Sequence, residues 1–411
     1  MSTMALKAAV ASERKPAADG MLKAAVRFWF VVAVAGQWLF AFYILSFYGG
    51  SAARSGLTAW NQVLPHGYVS GATTGNAAVV GHILFAALVN FCGALQLVPA
   101  VRSRFPRFHR WNGRVYLLAA LVMAVSGVYM AWFGRALVGD VSQHIAVSIN
   151  AVLILVCGAM ALRYALARDF RTHRRWAIRL FLVMSGVWFF RVGLFMSFIL
   201  FRGPVGFDPK TFTGPFITAL GYAQYLVPLG VFQLYLWAQE WAGRRGRIAV
   251  AGGLLVLTLA TGAGIGGVAA GIWMPRVKQA FDPRVSIAQT LAATIASGGI
   301  EQAVQQYHTL KAAGAANYNF DEAELNDLGY RLIREHHLGE AIRVLQLNVE
   351  AYPKSGNVYD SLGEAYLDAG DKAQAITSYR KSLELNPANH GAELTLKQFG
   401  GDGSGAAQAV N

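Results

Sequence analysis

Seven apolar runs dominate the first two thirds of the chain, at residues 28–48, 76–100, 115–137, 141–167, 177–201, 214–237 and 248–273. Each is long enough to cross a hydrocarbon core of about 30 Å as a helix rising ~1.5 Å per residue. In that solvent a segment must satisfy its own backbone groups, so helices are the predicted elements. Beyond residue 273 the long apolar runs stop and charge returns. The pattern predicts an all-α chain: a polytopic transmembrane bundle of about seven spans, then a soluble module of helical hairpins.

The polar residues between the runs are mostly arginines, and they alternate in density. The stretch before the first run and the loops after the second, fourth and sixth carry 5, 5, 4 and 3 Lys+Arg, whereas the loops after the first, third and fifth carry at most two each. Basic loops stay in the cytoplasm, so the N-terminus is predicted inside. An odd number of spans then puts everything after Trp273 outside. No cleavage-site pattern follows the polar, basic residues 1–27, which read as a cytoplasmic tail with the first span as an uncleaved anchor.

Composition agrees with this division. Hydrophobic residues make up 55% of the 411 and charged residues 14%, against about 25% in soluble domains. The net charge of +14 is uneven: from Arg276 onward there are 12 basic and 16 acidic residues, leaving 24 and six before it. The basic excess sits in short loops between spans, where membrane orientation explains it and a nucleic-acid surface does not. Cys92 and Cys157 lie within apolar runs and read as small buried residues.

Residues 322–390 repeat themselves. Leu328-Gly329, Ala341-Ile342 and Pro353 recur 34 positions later as Leu362-Gly363, Ala375-Ile376 and Pro387. Glycine and alanine at these positions let two helices approach closely, and the prolines end each unit. Period and pattern resemble the tetratricopeptide repeat, which implies a protein or peptide partner. Two copies fall short of the three usually needed for a stack, and residues 286–313 read as a degenerate additional pair, with Ala303 in the role of Ala341. The predicted organisation is a tail (1–27), a transmembrane domain (28–273), a linker with the degenerate pair (274–321), repeats (322–391) and a disordered C-terminus (392–411).

Candidate chemistry lies at four histidines, one near an end of each of four consecutive runs. His82 and His144 fall inside the outer ends of the second and fourth runs, while His109 and His173 precede the third and fifth on the cytoplasmic side. Two histidines per layer on alternate helices can hold bis-histidine haem in a helical bundle. The topology resembles di-haem transmembrane cytochrome b proteins, and that resemblance implies His82 with His144 and His109 with His173 as ligand pairs for haem b. The structural alternative is a packed, hydrogen-bonded histidine in the outer layer, with histidine and arginine against lipid phosphates in the inner one. Arg191 lies about ten residues inside the outer end of the fifth run, and an intramembrane arginine is costly and calls for an anion. A haem propionate, a quinone oxygen or a lipid phosphate would serve, as would backbone carbonyls or the amides of Asn90, Asn150 or Gln37. No hydrolase, transferase or nucleotide-binding motif is present, so enzymatic activity stays open.

The strings FHRWNGRVYLL and HRRWAIRLF, with GHILFAALVNFCGALQL before them and VWFFRVGLF after, resemble a bacterial membrane family catalogued as domain of unknown function 2306. The likeness covers about residues 28–235, with Ala177 where the family pattern has methionine. It implies a membrane domain and no reaction. The expected protein is an inner-membrane one, either a haem-b electron carrier with an extracytoplasmic protein-binding module or a non-redox scaffold recruiting periplasmic partners. A transporter is less supported, because the spans lack acidic residues.

Overall fold

Proline, serine–glycine pairs and capping carboxylates set where the apolar runs begin, bend and end. The computed structural model describes residues 3–401 apart from 55, 65, 135–138 and 209–210. The chain divides into two compact units, Met1–Ala280 and Phe281–Asn411.

In the first unit α1 spans Thr3–Ile44 and is followed by the short α2 (Gly50–Arg54). Then come α3 (Thr73–Leu97), α4 (Pro99–Arg104), α5 (Pro106–Tyr129) and α6 (Val141–Leu166). The unit continues with α7 (Phe170–Met184), α8 (Gly186–Phe201), α9 (Pro215–Glu240), α10 (Arg244–Val268) and α11 (Met274–Phe281). Six of these helical stretches are long and apolar enough to cross a membrane, and α7 with α8 makes a seventh, bent by 53°.

The bend has a local cause. Ser185 and Gly186 sit between α7 and α8, and a serine–glycine pair is a common kink site. The Ser185 hydroxyl donates to the carbonyl of Phe181 at 2.7 Å and accepts from Gln37 Nε2 at 2.7 Å. A serine bonding back to residue i−4 bends a helix. The run at 177–201 is therefore two half-helices and not the single rod expected from its hydropathy.

Two other boundaries move. Pro106 opens α5 nine residues before the third run, which places His109 and Arg114 on its first turns. Residues 3–27 are helical and run without a break into the first apolar run as α1. Leu22 is buried with Ala238, Ala251 and Leu254. Asp19 forms a salt bridge with Arg247, which is itself buried. Arg247 also donates to the carbonyls of Ala238 and Gln239, at 3.2 and 3.3 Å. A buried guanidinium requires such partners, and they draw this end of α1 onto α10.

The second unit is a stack of hairpins. Its helices are α12 (Ile287–Gly298), α13 (Ile300–Ala312), α14 (Glu322–Arg334), α15 (Leu338–Ala351), α16 (Gly356–Asp368), α17 (Lys372–Leu385) and α18 (His390–Gly401). The first helices of the pairs, α12, α14 and α16, pack on one another, as do α13 and α15. One core joins Ile287, Leu291, Ala303 and Tyr307 to Leu325, Leu328, Ala341 and Val344. The degenerate pair thus supplies the third member the stack needs. A short parallel bridge of β1 (Val285–Ser286) with β2 (Tyr318–Asn319) closes its loop. The expected disorder from residue 392 is corrected up to Gly401. Ala392 is fully buried against Tyr379, and Leu396 packs beside it, so α18 covers the open apolar edge of α17. Residues 402–411 lie outside the described ones.

Candidate functional site

His82 and His144 have different neighbours in and just beyond α5. His82 Nδ1 lies 2.8 Å from Ser126 Oγ, and Ser126 Oγ donates its proton to the carbonyl of Val122 at 2.6 Å. A hydroxyl has one proton. Ser126 must therefore accept from His82, which fixes the Nδ1–H tautomer and leaves Nε2 with its lone pair. His144 meets Trp132 edge-on, with ring centroids 5.5 Å apart. Trp132 Nε1 donates to Ser148 Oγ, and Ser148 bonds back to the carbonyl of His144. His144 Nε2 is buried without a hydrogen-bond partner.

Ser126 lies in α5, and Trp132 in the π-helical turn Met130–Gly134 that continues it. α3 packs mainly on α1 and α5, and α6 on α5, α7 and α9. His82 and His144 thus meet different residues, Ser126 and Trp132.

His173, in the first turn of α7 after the Asp169 cap, has Nδ1 2.8 Å from the carbonyl of Ala161. A carbonyl only accepts, so Nδ1 carries the proton and Nε2 is left open. His109 lies within electrostatic range of His173, Arg102 and Arg110. Its Nδ1 is buried and unpartnered, while Gln96 holds its carbonyl at 3.0 Å. Several inner arginines are committed elsewhere: Arg175 and Arg171 both bridge to Glu240. Arg179 donates to Gln233 at 3.2 Å and stacks over Trp176 and Phe232.

Arg191 sits half-buried on α8, with its guanidinium over the ring of Phe40 at 5.2 Å. Its one hydrogen bond among the described residues is a long one, 3.4 Å, to the carbonyl of Val187, and no carboxylate is paired with it. The three candidate amides spend their NH2 groups on other acceptors, and the oxygens of Gln37 and Asn150, the part that could serve a guanidinium, have no hydrogen-bond partner. Gln37 reaches Ser185, Asn90 the carbonyl of Ala86, and Asn150 the carbonyl of Val183. Arg191 acts electrostatically on Tyr43, Tyr48 and His82. This grouping joins α1, α3 and α8.

One constellation was not legible from spacing. Around the break before α8, Asn150 of α6 and Gln224 of α9 crowd Gly186 so closely that a Cβ there would lie 3.2 Å from one amide and 3.3 Å from the other. With Gln37 they ring the break with polar groups, and the carbonyl of Val183 is met by Asn150 at 3.3 Å. Irregular backbone at membrane depth is tolerated where neighbouring side chains re-satisfy it. The signal was an uncharged amide in each of three spans. Among the described residues no group of three or more His, Cys, Asp and Glu could hold a metal ion.

Comparison with known proteins agrees with this division of the chain. Over 76 residues the chain is 40% identical to Superkiller complex protein 3 of Mus musculus, covering 18% of this chain and 4% of that protein. Over 104 residues it is 29% identical to the Hsp70-Hsp90 organizing protein of Triticum aestivum, covering 25% and 17%. The chain thus spans less than a fifth of the length of these relatives. No solved structure matches. Residues 356–389 match the tetratricopeptide repeat. The chain is a membrane protein with a repeat module of the protein-interaction type, and its residues 79–218 carry the domain described as "Predicted membrane protein (DUF2306)".

Proposed function

We propose that this protein is an inner-membrane anchor that displays its repeat module outside the cytoplasm and uses it to hold a segment of a protein partner. The observation that carries this reading is the register of α14–α15 and α16–α17, completed by α12–α13. Three stacked pairs make a continuous face, and such stacks bind through extended surfaces. The loop charges favour a cytoplasmic N-terminus and an extracytoplasmic module. The relatives lend support by name, one as a component of a complex and the other as an organiser of two further proteins.

Ala323 is exposed and lies one and two turns before Asp327 and Tyr330 on α14. A photo-crosslinking residue at Ala323, activated in intact cells, is expected to give a discrete adduct with an extracytoplasmic protein. An adduct with a cytoplasmic protein would reverse the topology, and no adduct from any position on that face would remove the binding role.

A second reading is b-type haem ligation at His109 and His173. Each keeps a ring nitrogen without a hydrogen bond among the described residues, and the two lie within electrostatic range of one another. Haem there would supply one-electron chemistry, and His109 and His173 would hold it. The expected result is a reduced-minus-oxidised b-type band that His173→Ala abolishes and His82→Ala leaves intact. A haem-replete protein without the band ends this reading.

A further inference from the structure

We propose that Arg191 and Tyr43 form a binding site for the carboxylate head of a single-chain lipophilic acid, entered from the outer half of the bilayer. Arg191 lies ten residues before the outer end of α8, or ~15 Å of helix. An arginine at that depth is costly unless its charge is met. Its contacts among the described residues are one long carbonyl bond and the face of Phe40, and neither neutralises it. The acids of the first unit that the structure describes lie elsewhere. Asp19 is on Arg247, Glu240 on Arg175, Asp140 and Asp169 cap α6 and α7, and Asp208 is in the loop before α9.

A second, independent observation lies beside it. Tyr43 is 3% exposed, its hydroxyl has no hydrogen-bond partner, and it lies within electrostatic range of both Arg191 and Arg276. An orphaned hydroxyl next to an uncompensated guanidinium is what a missing anion leaves behind. Guanidinium forks and carboxylates match in shape and form charge-assisted pairs, and the tyrosine adds a third donor.

The surroundings select the rest of the ligand. Phe40, which lies under Arg191, stacks beside Tyr43 at 6.2 Å and on Trp273 at 5.1 Å, so the groups around the two polar heads are apolar. A phospholipid head stays at the membrane surface, a site's depth away. A quinone carbonyl reaches this depth but brings no charge.

The test uses the full-length protein in detergent, with binding read by native mass spectrometry. Oleate is expected to add once, saturably. Methyl oleate, a short-chain quinone and an anionic phospholipid should each fail to displace it. Arg191→Gln should weaken oleate at least tenfold, Arg191→Lys less, and Tyr43→Phe a few-fold. Displacement by the phospholipid or the quinone would reassign the head group and overturn the proposal. So would methyl oleate binding as well as oleate, or Arg191→Gln leaving oleate binding unchanged. Should Arg191→Gln fail to fold, oleate against methyl oleate on the unaltered chain decides.

Discussion

Gly264→Val is expected to lower the melting temperature of the membrane unit sharply, while Gly266→Val, two residues on, leaves it nearly unchanged. The two glycines share a helix, a neighbourhood and a composition. They differ in what a side chain would meet. A Cβ at Gly264 would lie 2.6 Å from the carbonyl oxygen of Val192 and 2.8 Å from its Cγ1; at Gly266 nothing lies within 4 Å. The first contact is with backbone, so no rotamer change relieves it, and α8 must move off α10. Overpacking costs about 1–3 kcal/mol and occasionally more, and here the lever is a helix pair, so the upper end is expected. Van der Waals packing at small-residue faces is a main source of cohesion between helices in lipid, so little else compensates. Thermal unfolding in detergent, followed by size-exclusion of the monodisperse fraction, measures both variants. Equal losses would mean that glycine content and not this contact matters, and the α8–α10 packing would be wrong.

The spans were legible because hydrocarbon thickness imposes a length that no soluble helix needs. Pro106 and Asp169 are residue types that favour helix starts, and they are the N1 and N-cap residues of α5 and α7. The repeat was legible because two copies keep register. The break at Ser185 was not: a serine and a glycine in an apolar run change hydropathy little, and the kink depends on Gln37 arriving from another helix. The role of residues 17–27 was hidden for a similar reason, since Asp19 and Arg247 are 228 positions apart.

Site residues divide along the same line. Sequence fixes how deep a histidine lies along its helix but not which way it faces, because azimuth is set by packing. His82 and His144 were matched by depth, and the structure adds their partners, Ser126 and Trp132. His109 and His173 looked like members of the arginine loops, and the structure adds the carbonyl of Ala161 as the partner of His173. Arg191 stands differently. Its lack of an acidic partner follows from the scarcity of acids in the spans, and only the neighbouring Tyr43 hydroxyl needed coordinates.

Glu324→Ala is expected to release the first hairpin of the repeat unit while the last stays folded. Glu324 is 2% exposed, a depth that carboxylates rarely reach without full pairing. One oxygen accepts from the Ser286 hydroxyl and, at 3.3 Å, from the backbone N–H of Ala288; the other accepts from Asn319 Nδ2 at 3.3 Å. These donors lie on β1, on the first turn of α12 and on β2, so one side chain ties both ends of the α12–α13 hairpin to α14. Helix N-termini favour a negative charge, and hydrogen bonds to charged groups contribute about 1.5–3 kcal/mol each. Alanine removes the acceptor and leaves three buried donors without partners, so a loss of roughly 3 kcal/mol or more is expected by the same measure. Stacked repeats gain stability mainly from nearest neighbours, so the loss should stay local. Hydrogen exchange on the full-length protein should show faster exchange over Ile287–Ala312 and unchanged protection over Gly356–Leu385. Glu324→Gln, which keeps an acceptor, should fall between alanine and the unaltered chain. Uniform loss across all hairpins would mean that the stack melts as one unit, and unchanged exchange over α12–α13 would mean that the apolar core around Leu291 and Tyr307 holds the hairpin without Glu324.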